Sequence, residues 1–132
     1  MSAEAVTSAL LAAAPPLVLL VGDRRAASLL PEGSALPAVV YHTISAIVDE
    51  RVADAAVKRW DCRVQIDIYS MTIPQLKQVL SATIAAMRIP TPITVSGRAV
   101  IYSGVKFLAP VEYHQGPNVW RQSADFRLLF SD

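Results

Sequence analysis

The chain has 132 residues, 53% of them apolar and 17% charged, with twelve basic residues against eleven acidic ones. That length fits one domain, 1–132, of a size that buries about 68–70% of its unfolded surface without staples. A formal charge of +1 argues against binding held by nucleic-acid phosphates or anionic lipids, and the single cysteine excludes a disulfide framework or a CxxC zinc site.

Ser2 to Ala14 reads as a first helix, with Ser2 as N-cap, Glu4 in the first turn and Val6, Leu10 and Ala13 on one face. Pro15-Pro16 stops it, since neither proline donates a hydrogen bond. Leu17 to Val21 is an apolar patch expected to pack as a short strand or a helical turn, and Gly22-Asp23-Arg24-Arg25 turns the chain. No basic residue precedes the apolar run from Ala9, and the prolines split it. Neither a signal peptide nor a membrane span is therefore expected, and a cytoplasmic protein is.

Residues 26 to 37, with Pro31, Gly33 and Pro37, carry loop chemistry. Val39, Val40, Tyr41, Thr43, Ile44 and Ile47 predict a strand over about 38–47. A mixed-charge loop follows, with Asp49, Glu50, Arg51, Asp54 and Lys58. The clearest alternation starts at Trp60: Trp60, Cys62, Val64, Ile66 and Ile68 point inward, and Asp61, Arg63, Gln65, Asp67 and Tyr69 outward. Thr72 with Gln75 makes a capping box, Pro74 sits in the first turn, and a stripe from Ile73 to Met87 predicts a second helix that Pro90 and Pro92 end. Ala99 to Tyr113 is a β-like stretch broken by Gly104 and Pro110; His114 to Asn118 is a turn. Val119 to Phe130 is the last strand, with Ala124, Phe126, Leu128 and Phe130 inward. The expected fold is a two-layer α+β domain of order α-β-β-α-β-β: a mainly antiparallel four-stranded sheet with both helices on one face.

Chemistry-bearing residues do not converge in this reading. Cys62 lies on an inward face, where a thiol is inert. His42 reads as a packed strand residue and His114 as a turn residue. There is no phosphate-binding glycine loop and no GxSxG elbow. No cofactor, metal or catalytic residue is assigned, and the chain is not expected to be an enzyme. The alternative of another class, a small α+β ligand-binding domain or enzyme, requires a pocket gathering His42, Asp67 and Tyr69.

Four segments stand in a familiar order: Val21-Gly22-Asp23-Arg24 after an Ala/Leu-rich helix, Leu36-Pro37-Ala38-Val39-Val40-Tyr41, Arg63 to Ser70 ahead of a helix, and Arg121 to Arg127 in a closing strand. In joint order and spacing, over nearly the whole chain, the sequence resembles the tail-completion family of long-tailed bacteriophages, which includes tail terminators and head-to-tail joining proteins. The resemblance implies a structural virion protein of the tail or neck, assembled in the host cytoplasm. It implies a homo-oligomer, a hexameric ring that caps the head-proximal end of the tail tube, stops its growth and presents a head-joining surface. The partners implied are the tail tube protein and the head-tail connector protein, with DNA only passing through the lumen and no membrane. A minor tail or head-completion protein at another neck position is the related alternative. Three candidate interface regions follow from the residues: a docking arm with Asp49, Glu50 and Arg51; the outward face with Arg63, Gln65, Asp67 and Tyr69; and the turn with Tyr113, His114 and Asn118.

Overall fold

The computed structural model describes residues 3–29, 33, 35–49, 59–90, 92–95, 97–114 and 118–131, with the backbone alone at 49 and 114. Helix α1 spans Ala3–Ala12 and helix α2 Pro15–Val21; the two are bent by 90° at the break between them. The prolines that stop α1 also start α2. They occupy its first turn, where a missing N–H costs nothing, and Ala14 before them is held extended. Leu17 and Val21 are the buried residues of α2. Gly22 closes it at φ +59°, donating its N–H to the Val18 carbonyl at 2.7 Å. No single helix is long and apolar enough to cross a membrane.

Seven strands follow the opening helices: β1 (Arg25–Ala27), β2 (Ala38–Asp49), β3 (Arg59–Ser70), β4 (Ile93–Val95), β5 (Arg98–Leu108), β6 (Glu112–His114) and β7 (Val119–Ser131), with helix α3 (Ile73–Met87) between β3 and β4. They form one sheet in the order β1-β2-β3-β7-β5-β4, with β6 beside β7. β1 runs parallel to β2, so the sheet is mixed. This corrects the expected four-stranded α-β-β-α-β-β domain. The four long strands lie close to where alternation places them, but three strands of three residues and a third helix join them. Three residues span barely one alternation period, and such strands exist because a longer neighbour offers them its free edge.

The three helices cover one face. The core joins Val6, Leu10 and Leu11 of α1, Leu17 and Val21 of α2, and Leu76, Val79, Leu80 and Met87 of α3 to the inward side chains of β2, β3, β5 and β7. Phe126 and Phe130 are its largest fully buried side chains, and burying each such side chain contributes about 1.5–3 kcal/mol.

The α3 N-terminus departs from a simple capping box. Thr72 Oγ1 accepts the Gln75 N–H at 3.3 Å, but the Gln75 side chain does not reach back to Thr72 directly. Ser70 stands between them: its hydroxyl accepts the Thr72 N–H at 3.4 Å and donates to Gln75 Oε1 at 2.8 Å. The last residue of β3 thereby links strand to helix.

Arg24 explains why two of the segments in the family pattern occur together. Its Nε donates to the Pro37 carbonyl at 3.0 Å and its Nη2 to the Leu20 carbonyl at 3.3 Å. One guanidinium thus joins the end of α2 to the Leu36-Pro37 segment, whose peptide bond is cis, at the entry to β2.

Candidate interaction surface

The face of the sheet opposite the helices is where the outward residues gather. Strand register sets them in rows running across β2, β3, β7 and β5. One row is Ile47, Asp61, Leu129 and Tyr102; the next is Ser45, Arg63, Arg127 and Gly104; the next is His42, Gln65, Asp125 and Phe107. Arg63 and Arg127 are direct opposites, and like charges in that position repel. Each is neutralised on the diagonal instead. Arg127 binds Asp61 through Nε at 3.0 Å and Nη2 at 2.8 Å, while Arg63 binds Asp125 through Nη2 and through Nε at 3.0 Å. A third diagonal joins Arg121 to Asp67 at 3.4 Å. All three lean the same way across β3 and β7, as a twisted antiparallel pair allows.

Asp67 is buried, although alternation puts it on the outward face. Its Oδ1 accepts from Gln65 at 2.9 Å and from Ser123 at 2.6 Å, and Arg121 faces its Oδ2. Burial and then the Asp67 charge push the Tyr69 phenol above its ordinary value. Burial works against the charge on Arg121, but Asp67 and Tyr69 more than offset it and raise that guanidinium. The hydrogen bond from Arg127, opposed by burial, holds the Asp61 carboxyl below the usual carboxylate range.

Arg121 ties this face to the turn. Its Nη1 donates to Glu112 of β6 at 2.6 Å. Tyr113 is exposed, packs edge-on against Trp120 with ring centroids 5.2 Å apart, and accepts the Asn118 N–H at 3.1 Å. Asn118 has φ +56°, a left-handed turn position that asparagine tolerates. The backbone of His114 pairs with Val119.

Of the expected interface residues, the structure therefore brings Arg63, Gln65, Asp67 and Tyr69 onto one face, with Tyr113 and Asn118 joined to it through β6 and Arg121. Asp49 ends β2 opposite Arg59; its side chain, that of His114, and Glu50 and Arg51 entirely lie outside the described residues. Asp49, placed in the charged arm from sequence, is the last residue of β2. Asp61, Arg121, Asp125 and Arg127 complete the surface. Their outward parity was legible, but their pairing depends on the β3–β7 register, which no local pattern encodes.

Among its described residues, this face gathers no convergent group of carboxylate and histidine side chains around an open site. His42, Asp67 and Tyr69 share the face, yet His42 stands opposite Gln65, and the Asp67 carboxylate is held by the hydroxyl, amide and guanidinium around it. A shallow open hollow of about 210 Å³ on the same face takes in none of His42, Asp67 and Tyr69 and lies among Ser45, Ile47, Asp61, Arg63, Lys106 and Arg127. On β5 the Tyr102 hydroxyl is 2.7 Å from where a Cβ on Gly104 would stand, so glycine leaves room for the ring to lie along the strand. Cys62 faces the core; burial, with smaller contributions from Asp61 and Glu4, pushes its thiol up to about 11. Among the described residues, no group of three His, Cys, Asp or Glu side chains is placed to hold a metal ion.

Comparison with known proteins points to assembly. Residues 4–108 match the family model described as "Tail completion protein gp17". A chain of the solved structure titled "Virion of native gene transfer agent (GTA) particle" superposes with a TM-score of 0.68, covering 98% of this chain and 97% of that one. At 16% sequence identity that likeness is one of fold. No curated protein sequence matches the chain.

Proposed function

Since the chain belongs to the tail completion protein gp17 family and is thereby a structural protein of phage-type virion tails, we propose that it forms a ring capping the head-proximal end of a tail tube. The ring stops tube growth and presents the surface to which the head connector joins.

The observation that carries this reading beyond the family is the charge pattern of the helix-free face. Four arginines and three aspartates stand on β3 and β7: Arg63, Arg121 and Arg127 are each matched to an aspartate on the diagonal, and Arg59 stands opposite Asp49 of β2. A surface of this kind keeps hydrogen-bonding specificity for a protein partner while presenting little net charge. It suits a ring through which DNA passes without sticking, because phosphate binding grows with each unpaired cation offered. The residues proposed to contact neighbours are Arg63, Gln65 and Tyr69 on this face, Tyr113, His114 and Asn118 at the turn, and Asp49, Glu50 and Arg51 as a docking arm. Arg51→Glu blocks docking in this reading and leaves the thermal midpoint of the monomer unchanged; a midpoint that falls together with docking overturns the arm.

The test of the function is negative-stain microscopy of particles made with a stop codon at Trp60, beside a complemented control. Filled free heads with tails of irregular length are the expected result. Free heads with tails of normal length move the protein to a joining role, and normal virions overturn the assembly reading.

A further inference from the structure

Among the described residues, two stretches of sheet edge have no strand beside them, and they complement one another. β1 covers β2 only at Val39 to Tyr41, and the Glu4 carboxylate takes the next edge donor, the Thr43 N–H, at 3.3 Å. From Ile44 to Asp49, among the described residues, β2 pairs only with β3. At the far side β4 pairs with β5 only at Arg98 to Val100, so among the described residues the edge from Ile101 to Leu108 has no strand beside it. We propose that these stretches pair between copies of the chain: residues 44–49 of one protomer add antiparallel to residues 101–108 of the next, and the sheet continues from subunit to subunit. The proposal rests on the ring reading and names the contact that builds the ring.

Strand direction supports it. Each step across β2, β3, β7 and β5 is antiparallel, so β2 and β5 run in opposite senses within one copy. Copies placed side by side in one orientation therefore bring β2 to β5 antiparallel. A contact between two different edges of one chain is head-to-tail, and it closes into a ring when the subunits curve. Both edge strands carry bulges, between Thr43 and Ser45 in β2, and between Val100 and Tyr102 and between Val105 and Phe107 in β5. Bulges bend and twist a strand and are a means by which sheets curl toward closure.

The side chains agree. Proteins that stay monomeric guard long edges with proline or charge. Neither stretch contains proline, and their charges are limited to Asp49 and Lys106. Ile44 and Ile47 are exposed on one edge, and Tyr102, Phe107 and Leu108 on the other, whereas the inner strands β3 and β7 expose no large apolar side chain. Ile47 and Phe107, 65% and 58% exposed, both project from the helix-free face, so an added strand brings them to the same side, where cross-strand apolar pairs stabilise a sheet.

The test pairs Ile47→Cys with Phe107→Cys in a chain that complements the Trp60 stop codon; Cys62 is buried and does not compete. Assembled particles are treated with a short bismaleimide and run on a denaturing gel. The expected result is a ladder of dimer, trimer and higher multiples from the double variant, and monomer alone from each single variant. Dimers from Ile47→Cys alone mean like meets like and overturn the proposal, as does a monomeric double variant in particles with normal tails. Should the double variant fail to assemble, a charge swap decides: Ile47→Lys abolishes incorporation and Phe107→Glu in the same chain restores it, and absence of restoration overturns the pairing. The ladder does not depend on where the ring sits, so it can hold while the terminator reading fails, and tail length can follow that reading while the ladder fails.

Discussion

Arg63 and Arg127 face each other across β3 and β7, an arrangement that costs about 0.2–1 kcal/mol when uncompensated. Their two carboxylate partners are not equivalent. The Asp61 and Arg127 side chains are 39% and 45% exposed, so water competes for both, and the pair is worth about 0.2–1 kcal/mol. Asp125 is only 8% exposed, although Arg63 is 57% exposed. Arg63→Ala leaves that carboxylate with little access to water, a penalty of about 1–3 kcal/mol. Relief of the repulsion with Arg127 offsets part of it, so the expected net loss is about 1–2 kcal/mol. For a chain of this length that lowers the thermal midpoint by roughly 3–8 °C. Double-mutant cycles by urea unfolding separate the two pairs: Arg63→Ala with Asp125→Asn, and Arg127→Ala with Asp61→Asn. The Arg63–Asp125 coupling is expected to exceed about 1 kcal/mol and to survive high salt, and the Asp61–Arg127 coupling to stay below that and fade with salt. Equal couplings, or the larger one in the exposed pair, would refute the idea that burial of the acid sets the strength.

Asp61 also sets an acid limit. Its folded pKa lies below the ordinary value because of Arg127, so its charge stabilises the fold above about pH 4, and that contribution is lost as pH falls through the lower folded value. The stability gap between the parent chain and Asp61→Asn should close on acidification below about pH 4; a gap that stays constant refutes the linkage. At Cys62 the sign is reversed: with the folded thiol at about 11 and the ordinary value at 9.0, stability falls as pH rises between them, and Cys62→Ala removes that slope from unfolding curves. Phe126, fully buried, should cost about 3–5 kcal/mol on change to alanine, a large part of the stability of a small domain; a loss below 2 kcal/mol by denaturant titration would mean that the core collapses around the site. Thr72→Ala should cost about 1 kcal/mol, and Ser70→Ala should add to it, because Ser70 carries the link between Thr72 and Gln75; an unchanged midpoint in both variants would remove the relay.

Local chemistry decided much of this protein. Alternation from Trp60 to Ile68 and from Ala124 to Phe130 marks the two central strands and the faces they bury, because one face must leave water while the other stays in it. Thr72, Pro74 and the apolar stripe behind them locate α3, since capping and helical spacing act within a few residues. The order of short segments was enough to place the family. Tertiary structure alone decided the rest. Leu17 to Val21 is a helix because Leu17 and Val21 find a core to enter. Arg25 to Ala27 is a strand because β2, distant in sequence, offers it an edge. Asp67 and Asp125 are buried on an outward face because the β3–β7 register brings arginines and Ser123 against them. Register and edges belong to pairs of strands, and a pair is a property of the folded sheet that neither strand carries by itself.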